Sequence, residues 1–414
     1  MSKINELIQT LCPDGVEYKK LGEVATISRG NGFQKKDFVE EGRPCIHYGQ
    51  IFMHYSKRGI VTSDTLTYLD DAKFEKNVKA LSNDIVMAVT SENVEDVCKC
   101  VVWKGDEPVA VSGHTAIFHT EMNSKFLAYW FNTSDFYVQK VRLAHGTKVI
   151  EVTPAAMVDI VLPVPPMAVQ DEIVRILDEY IELEAELEAK LSEEIELKQK
   201  QYEFYRDELL TFGDDVERKS LNDLCDYVDY RGKTPKKTMS GRFLVTAKNI
   251  GYGIIDYEKS KEYIADDDYD TVMRRGVPQI GDVLITTEAP MGHVAQVDDD
   301  TIALAQRVIK YCSKDRNVLS NDFLKHYCLG QEFQQLLFKS ANNGGTVSGI
   351  KGSVLHTLEI PVPSLQDQQR IVEILDSLNE STQVIISTLN TELESRKKQY
   401  AYYRDQLLTF KRKE

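Results

Sequence analysis

The 414-residue chain has no CxxC pair, and its seven cysteines, at 12, 45, 98, 100, 225, 312 and 328, are odd in number and lack framework spacing. That excludes a disulfide scaffold. Cys98 and Cys100 form only a C-x-C with no histidine cluster beside them, so reduced thiols are expected rather than a zinc site. No stretch approaches the ~18 apolar residues of a membrane helix, and the opening MSKINELIQT has neither the basic nor the apolar part of a signal peptide. A cytoplasmic protein without a membrane partner is expected.

Catalytic signatures are equally scarce. There is no G-x-x-x-x-G-K-[ST] loop for nucleotide phosphates; GTVSGIKG (345–352) carries its glycines in the wrong order. Gly30-Asn31-Gly32 and Gly251-Tyr252-Gly253 lack the third glycine of a dinucleotide fingerprint and read as turns. The Asn- or Asp-Pro-Pro-aromatic motif that holds an adenine amine for methylation is missing; Pro165-Pro166-Met167 is not that motif. Glu17-Tyr18-Lys19 and Glu217-Arg218-Lys219 have the E-x-K spacing of metal-dependent nucleases but no second acid at a suitable distance. The chain is therefore expected to be no enzyme, with no metal or cofactor of its own.

A positive charge excess is lacking too. The net charge is −15, which opposes DNA binding, because affinity for DNA rests largely on phosphate neutralisation. The distribution answers part of the objection. Residues 170–212 hold 14 acidic and 5 basic residues, a net of −9, whereas 229–251 hold six basic residues against Asp229, a net of +5.

What the chain does have is an internal repeat. LPVPPMAVQDEIVRILD (162–178) matches IPVPSLQDQQRIVEILD (360–376), and QYEFYRDELLTF (201–212) matches QYAYYRDQLLTF (399–410), both at an offset of 198. Over 162–212 against 360–410 there are 23 identities in 51 positions without a gap. VEYKKLGEV (16–24) echoes VERKSLNDL (216–224), and NDIVMAVT (83–90) echoes GDVLITTE (281–288). A third echo, of 6–17 with 208–217, places the N-terminal segment beside the end of the C-terminal helix, with the termini close together.

Each matched region reads as one long helix. Apolar residues at Ile173, Leu177, Tyr180, Leu183, Leu187, Leu191, Ile195, Tyr202, Tyr205 and Leu209 recur in steps of three or four, as do Ile371, Leu375, Leu378, Ile385, Leu389, Leu393, Tyr400, Tyr403 and Leu407. No proline or glycine interrupts 168–212 or 366–410, and the prolines just upstream bar an earlier start. Such stripes need a partner, and an antiparallel pairing of the two copies suits a pseudo-two-fold duplication. The glutamate run 182–196 reads as a solvated face.

The divergent region before each helix mixes short β-like runs with a helix. Strands are expected over 84–90, 100–104 and 114–120, then a helix from Lys125 to Arg142; in the second copy, over 281–287, 293–297 and 303–311, then a helix from Phe323 to Lys339. Basic and amide side chains there suit phosphate contact and base reading. The candidates are Arg29, Asn31, Gln34, Lys35, Lys36, Gln50, Lys57, Arg58, Lys140, Arg142 and Lys148 in the first region. In the second they are Arg231, Lys233, Thr234, Lys236, Lys237, Lys248, Asn249, Arg274 and Arg275. By stretch, the reading surfaces are 29–58, 90–93 and 142–148, then 231–249, 274–275, 286–288 and 342–348.

The combination resembles the specificity subunits of Type I restriction-modification systems. The resemblance rests on the duplicated [LI]-P-V-P…Q-x-x-I-V-x-I-L-D entry and Q-Y-x-[FY]-Y-R-D-x-L-L-T-F exit, on the opening L-C-P-D-G-V-E-Y-K-K-L-G-E-V (11–24), and on GDVLITT with APMGHVA (281–295). It covers nearly the whole chain; Val164 and Val362 stand where leucine is more usual. It implies an α+β fold of two similar target-recognition domains (1–165 and 213–363) with two long antiparallel coiled-coil helices (166–212 and 364–414), related as a pseudo-two-fold internal repeat. It further implies that each domain reads one half of a bipartite double-stranded DNA site. The helices would set the spacer and dock two methyltransferase subunits, which use S-adenosylmethionine, and an ATP- and Mg-dependent restriction subunit joins for cleavage. The residues alone leave a second reading open, a coiled-coil assembly scaffold without a nucleic-acid role.

Overall fold

The computed structural model describes residues 2–57, 59–230, 235–341 and 349–414. The chain forms two units, 1–191 with 391–414 and 192–390, so both long helices, Met167–Leu209 and Leu365–Leu407, begin in one unit and end in the other.

In the first unit an antiparallel strand pair, Glu17–Lys20 with Val161–Val164, leads into a five-stranded sheet. Its order is Ala25–Arg29, Thr115–Thr120, Ile85–Ala88, Cys100–Trp103, Val61–Thr62. A second, four-stranded sheet holds Arg43–Ile46 parallel to Val109–Val111. The second unit repeats the plan. Arg218–Ser220 pairs with Glu359–Pro361, and one sheet runs Cys225–Asp229, Val308–Ser313, Val283–Thr287, Met291–Gln296. Its other sheet holds Arg242–Val245 parallel to Ala303–Leu304.

The structure divides four elements that the sequence reads as single. The strand expected over 84–90 ends at Ala88, and Thr90 belongs to a separate pair, Thr90–Ser91 with Ile150–Glu151. The strand expected over 303–311 is two strands in different sheets. Pairing with Arg242–Val245 ends after Leu304, where the Ala305 N–H donates to the Val245 carbonyl, and the chain has crossed to the other sheet by Val308. Each expected module helix is also two. Ser124–Trp130 and Ser134–Leu143 are separated by the Thr133 cap, whose hydroxyl accepts from the Phe136 N–H; Asn321–Leu329 and Gln331–Ser340 are separated by Gly330.

Each unit encloses its own core. In the first, Trp130, Phe126 and Phe118 pack with Ile173 and Leu177 of the first long helix and with Ile4 and Leu408. In the second, Phe323, Tyr327 and Phe333 pack with Leu210, Ile371 and Leu375. The expected closeness of the termini holds: Val16 exchanges backbone hydrogen bonds with Lys411 and Lys413, at 2.8 and 2.9 Å, and Lys3 pairs with Glu172. In the first unit the long helices run antiparallel, with Tyr180 stacked on Tyr403 and Lys397 3.4 Å from Glu188. Leu183, placed by the sequence on the buried stripe, is 64% exposed. Two successive steps of three, Leu177 to Tyr180 to Leu183, carry it about 120° around the helix from Leu177, whereas half-buried Ile181 stays within about 40° of it.

Two buried histidines make stability acid-sensitive. Burial and the neighbouring Lys325 lower the pKa of His326 to about 4, although Asp376, 2.8 Å away, opposes the shift. Burial, Lys35 and His114 lower that of His47 to about 4. Unfolding releases both to their ordinary value near 6.5, so between pH 6.5 and 4 the unfolded chain binds more protons and stability falls as pH falls. Below about 4.5, Glu172 adds its own loss, since Arg175 and Lys3 hold it down to about 2. Melting temperatures recorded from about pH 7.5 to 4.5 should decline, and His326→Gln should flatten the decline. An unchanged slope in that variant would remove His326 from the account.

Candidate nucleic-acid interface

The elements converge at one end of the sheet that holds Ile85–Ala88 in the first unit and Val283–Thr287 in the second. In the first, Arg29 closes the strand Ala25–Arg29 and donates from Nε to the Gly113 carbonyl at 3.1 Å, while its Nη2 lies 2.9 Å from the Glu151 carboxylate. The Val89 N–H donates to the His114 carbonyl, and the Val152 N–H to the Val89 carbonyl, both at 3.0 Å. Tyr48 lies beside this frame: its N–H donates to the Ser112 hydroxyl at 2.9 Å, and its ring is 5.0 Å from that of His114. Lys35 and Lys36 are exposed on the short turn Lys35–Asp37, and Arg142 and Lys148 are also exposed. None of these four forms an ion pair among the described residues.

The second unit builds the same frame. The Thr287 N–H donates to the Arg307 carbonyl at 2.9 Å, and the Ile350 N–H to the Thr287 carbonyl at 3.0 Å. Arg307 Nε is 3.0 Å from the Glu288 carboxylate. Arg275 donates to the Asp229 carbonyl at 2.7 Å, and Tyr230 to the Gly276 carbonyl at 2.7 Å, tying the 274–276 turn to the same sheet end. Lys236, Lys248 and Arg274 are exposed. Away from this end, Asp266, Asp299 and Asp300 gather about Arg242 and Tyr269, a surface that repels phosphate.

Several residues selected by type turn out to be structural. Asn249 is fully buried; its Oδ1 accepts from the Thr246 N–H and its Nδ2 donates to the Asp256 and Ser260 carbonyls. It has nothing left for a base edge. Asn31 accepts from the Val78 N–H at 2.7 Å and donates to the Lys76 carbonyl at 3.4 Å. Gln50 caps the helix Tyr48–Met53 through the His47 N–H and donates to the Thr67 hydroxyl. Lys140 is buried and donates to the Glu95 and Val97 carbonyls, so it is no phosphate contact. Lys237 pairs with Glu262, and Arg242 with Asp266, which offsets part of the basic strip. Arg58, Arg231, Lys233, Thr234 and the stretch 342–348 lie outside the described residues, as does the side chain of Lys57.

Residue type alone singles out neither Tyr48 with its partner His114 nor Arg307 with Glu288. The repeat does not find them either, since they stand 193 residues apart and the offset of 198 does not pair them; their match lies in the backbone hydrogen bonds of the folded units. Among the described residues, no group of three or more His, Cys, Asp or Glu side chains could hold a metal ion, and no helix is long and apolar enough to cross a membrane.

Comparison with known proteins gives a consistent result. The family profile described as the Type I restriction modification DNA specificity domain matches twice, over 13–197 and 213–395. The specificity subunit of the Type I restriction enzyme EcoR124I/EcoR124II of Escherichia coli is 31% identical over 303 residues, covering 70% of this chain and 72% of that protein. A putative Type I restriction enzyme specificity subunit of Haemophilus influenzae is 28% identical over 295 residues, covering 70% and 73%. Among solved structures, a chain from a study of complex assembly and conformational transition of the type I R-M system superposes with a TM-score of 0.70 at 17% identity, covering 95% of this chain and 97% of that one. The HsdS subunit from Thermoanaerobacter tengcongensis superposes with a TM-score of 0.52 at 16% identity, covering 96% and 97%. At these identities the two structures speak for the fold.

Proposed function

The chain belongs to the Type I restriction-modification DNA specificity family, and from that membership we propose that each unit reads one half of a bipartite double-stranded DNA site for a methylating and restricting assembly. The observation that carries this reading is the duplicated sheet end. Two matched backbone frames, each rimmed by exposed Lys and Arg, present different side chains to solvent. Matched frames suit two half-sites of one duplex, and different side chains suit different base sequences. Exposed cations without carboxylate partners among the described residues, Lys35, Lys36, Arg142 and Lys148, suit phosphate. A scaffold without a nucleic-acid role has no use for either feature.

The long helices set the number of unread base pairs between the half-sites and dock two methyltransferase subunits, with a restriction subunit joining for cleavage. Support comes from large apolar side chains exposed along them: Leu183, Leu197, Phe204, Val384 and Tyr402, of which Phe204 and Tyr402 stand 198 residues apart. S-adenosylmethionine, ATP and Mg belong to those partners, since this chain carries no motif for them.

Methylation-detecting sequencing of the host genome, with the gene intact and deleted, tests the reading. Deletion should abolish one N6-methyladenine motif made of two short specified halves and a fixed gap; retention of every motif counts against it. The phosphate role has its own measurement. Lys35→Ala with Lys36→Ala should weaken binding of the assembled complex on all sequences and reduce its salt slope by about 2. An unchanged slope removes those two lysines from the interface.

A further inference from the structure

We propose that His114 and Arg307 are the matched specificity-determining residues of the two units, each addressing one base pair of its own half-site. This assignment rests on the reading of the chain as a DNA-specificity subunit.

The backbone shows the equivalence. His114 immediately precedes the strand Thr115–Thr120, and Arg307 immediately precedes Val308–Ser313. Each lends its carbonyl to the end of the neighbouring central strand, His114 to the Val89 N–H and Arg307 to the Thr287 N–H. Those acceptor strands in turn receive the Val152 and Ile350 N–H groups, which are 198 residues apart, as are Val89 and Thr287. The two side chains therefore leave the same point of the same frame. Each sits where the chain crosses from one sheet to the other, after Val109–Val111 in the first unit and after Ala303–Leu304 in the second.

At that shared point the chemistry differs. Arg307 is held through Nε by the Glu288 carboxylate at 3.0 Å, and 53% of its side chain remains exposed. An arginine fixed by one edge retains donors for the paired acceptors O6 and N7 of guanine, a planar fork that lysine lacks. His114 is exposed, packed by ring contact against Tyr48, and its ring nitrogens take no hydrogen-bond partner among the described residues. Neutral imidazole offers one donor and one acceptor, which suits a single contact to a base edge in the major groove. Phosphate contact alone would not explain why the matched position is filled by such different groups, whereas two unlike half-sites would.

The experiment uses the full chain assembled with its methyltransferase and a panel of duplexes, each differing from the methylated motif at one base pair. Arg307→Ala should lose about 10- to 100-fold of discrimination at one guanine-containing position of one half, with every other position unchanged. His114→Ala should lose discrimination at one position of the other half. Arg307→Lys, which keeps the charge, should also lose the discrimination. Uniform weakening across the panel, full discrimination in Arg307→Lys, or both alanine variants acting on the same half would overturn the assignment. A wild-type complex that distinguishes no bipartite site would instead overturn the functional reading beneath it.

Discussion

Asp282→Ala is expected to destabilise the second unit by about 3–5 kcal/mol, the usual cost of removing one partner from a buried ion pair. Asp282 is fully buried, and its Oδ2 lies 2.6 Å from the Lys310 ammonium, whose side chain is 11% exposed. The same oxygen accepts from the Gln279 N–H at 2.9 Å, closing the turn that leads into Val283–Thr287. Alanine would leave a cation inside the sheet with no countercharge and an N–H with no acceptor. The first unit supplies an internal control. Asp84 stands 198 residues earlier and accepts from the Leu81 N–H at 2.7 Å, but its side-chain partner His119 is 62% exposed. Asp84→Ala should therefore cost less, and Lys237→Ala, which removes a half-exposed pair with Glu262, should cost under about 1 kcal/mol. Urea denaturation of the three variants checks the order. A loss under about 1 kcal/mol for Asp282→Ala would show that solvent reaches Lys310 readily.

The duplicated motifs make the long helices legible, because 43 helical residues without proline or glycine leave little else for the pattern to mean. The first sheet of each unit is partly legible from its apolar runs. The second sheets are not: strands as short as Lys79–Ala80 and Ala303–Leu304 have too few residues to show a period, and they form only because a distant strand lies alongside. The candidate interface is narrowed by the fold to fewer residues than type alone selects. Asn249 and Lys140 have the chemistry of DNA contacts, yet burial fixes both to backbone carbonyls, and burial is a property of the folded chain. His114 and Arg307 carry no pattern at all as single residues; only the strand register that follows them reveals the match.

Gln170 and Gln368 each lie five residues after a proline, Pro165 and Pro363, in both copies of the entry motif. Gln368 is fully buried; its Oε1 accepts from the Ser320 N–H at 2.8 Å, and its Nε2 donates to the Val318 and Pro363 carbonyls at 2.8 and 2.9 Å. One amide thus ties the start of the long helix to the loop that opens the helix Asn321–Leu329. Gln170 plays the same part with the Asn123 N–H and the Pro165 carbonyl. Gln368→Ala should cost about 2–4 kcal/mol, since it leaves buried donors and acceptors unpaired and opens a cavity. Gln170→Ala, with one fewer bond, should cost less. Gln368→Glu is the sharper test, because it keeps the shape but turns a carboxylate oxygen toward two carbonyls. It should be more damaging than alanine at neutral pH and recover as the pH falls and the group takes a proton. If glutamate is tolerated at neutral pH, the amide is not what joins helix to module, and packing by Ile371 and Leu375 must carry that junction alone.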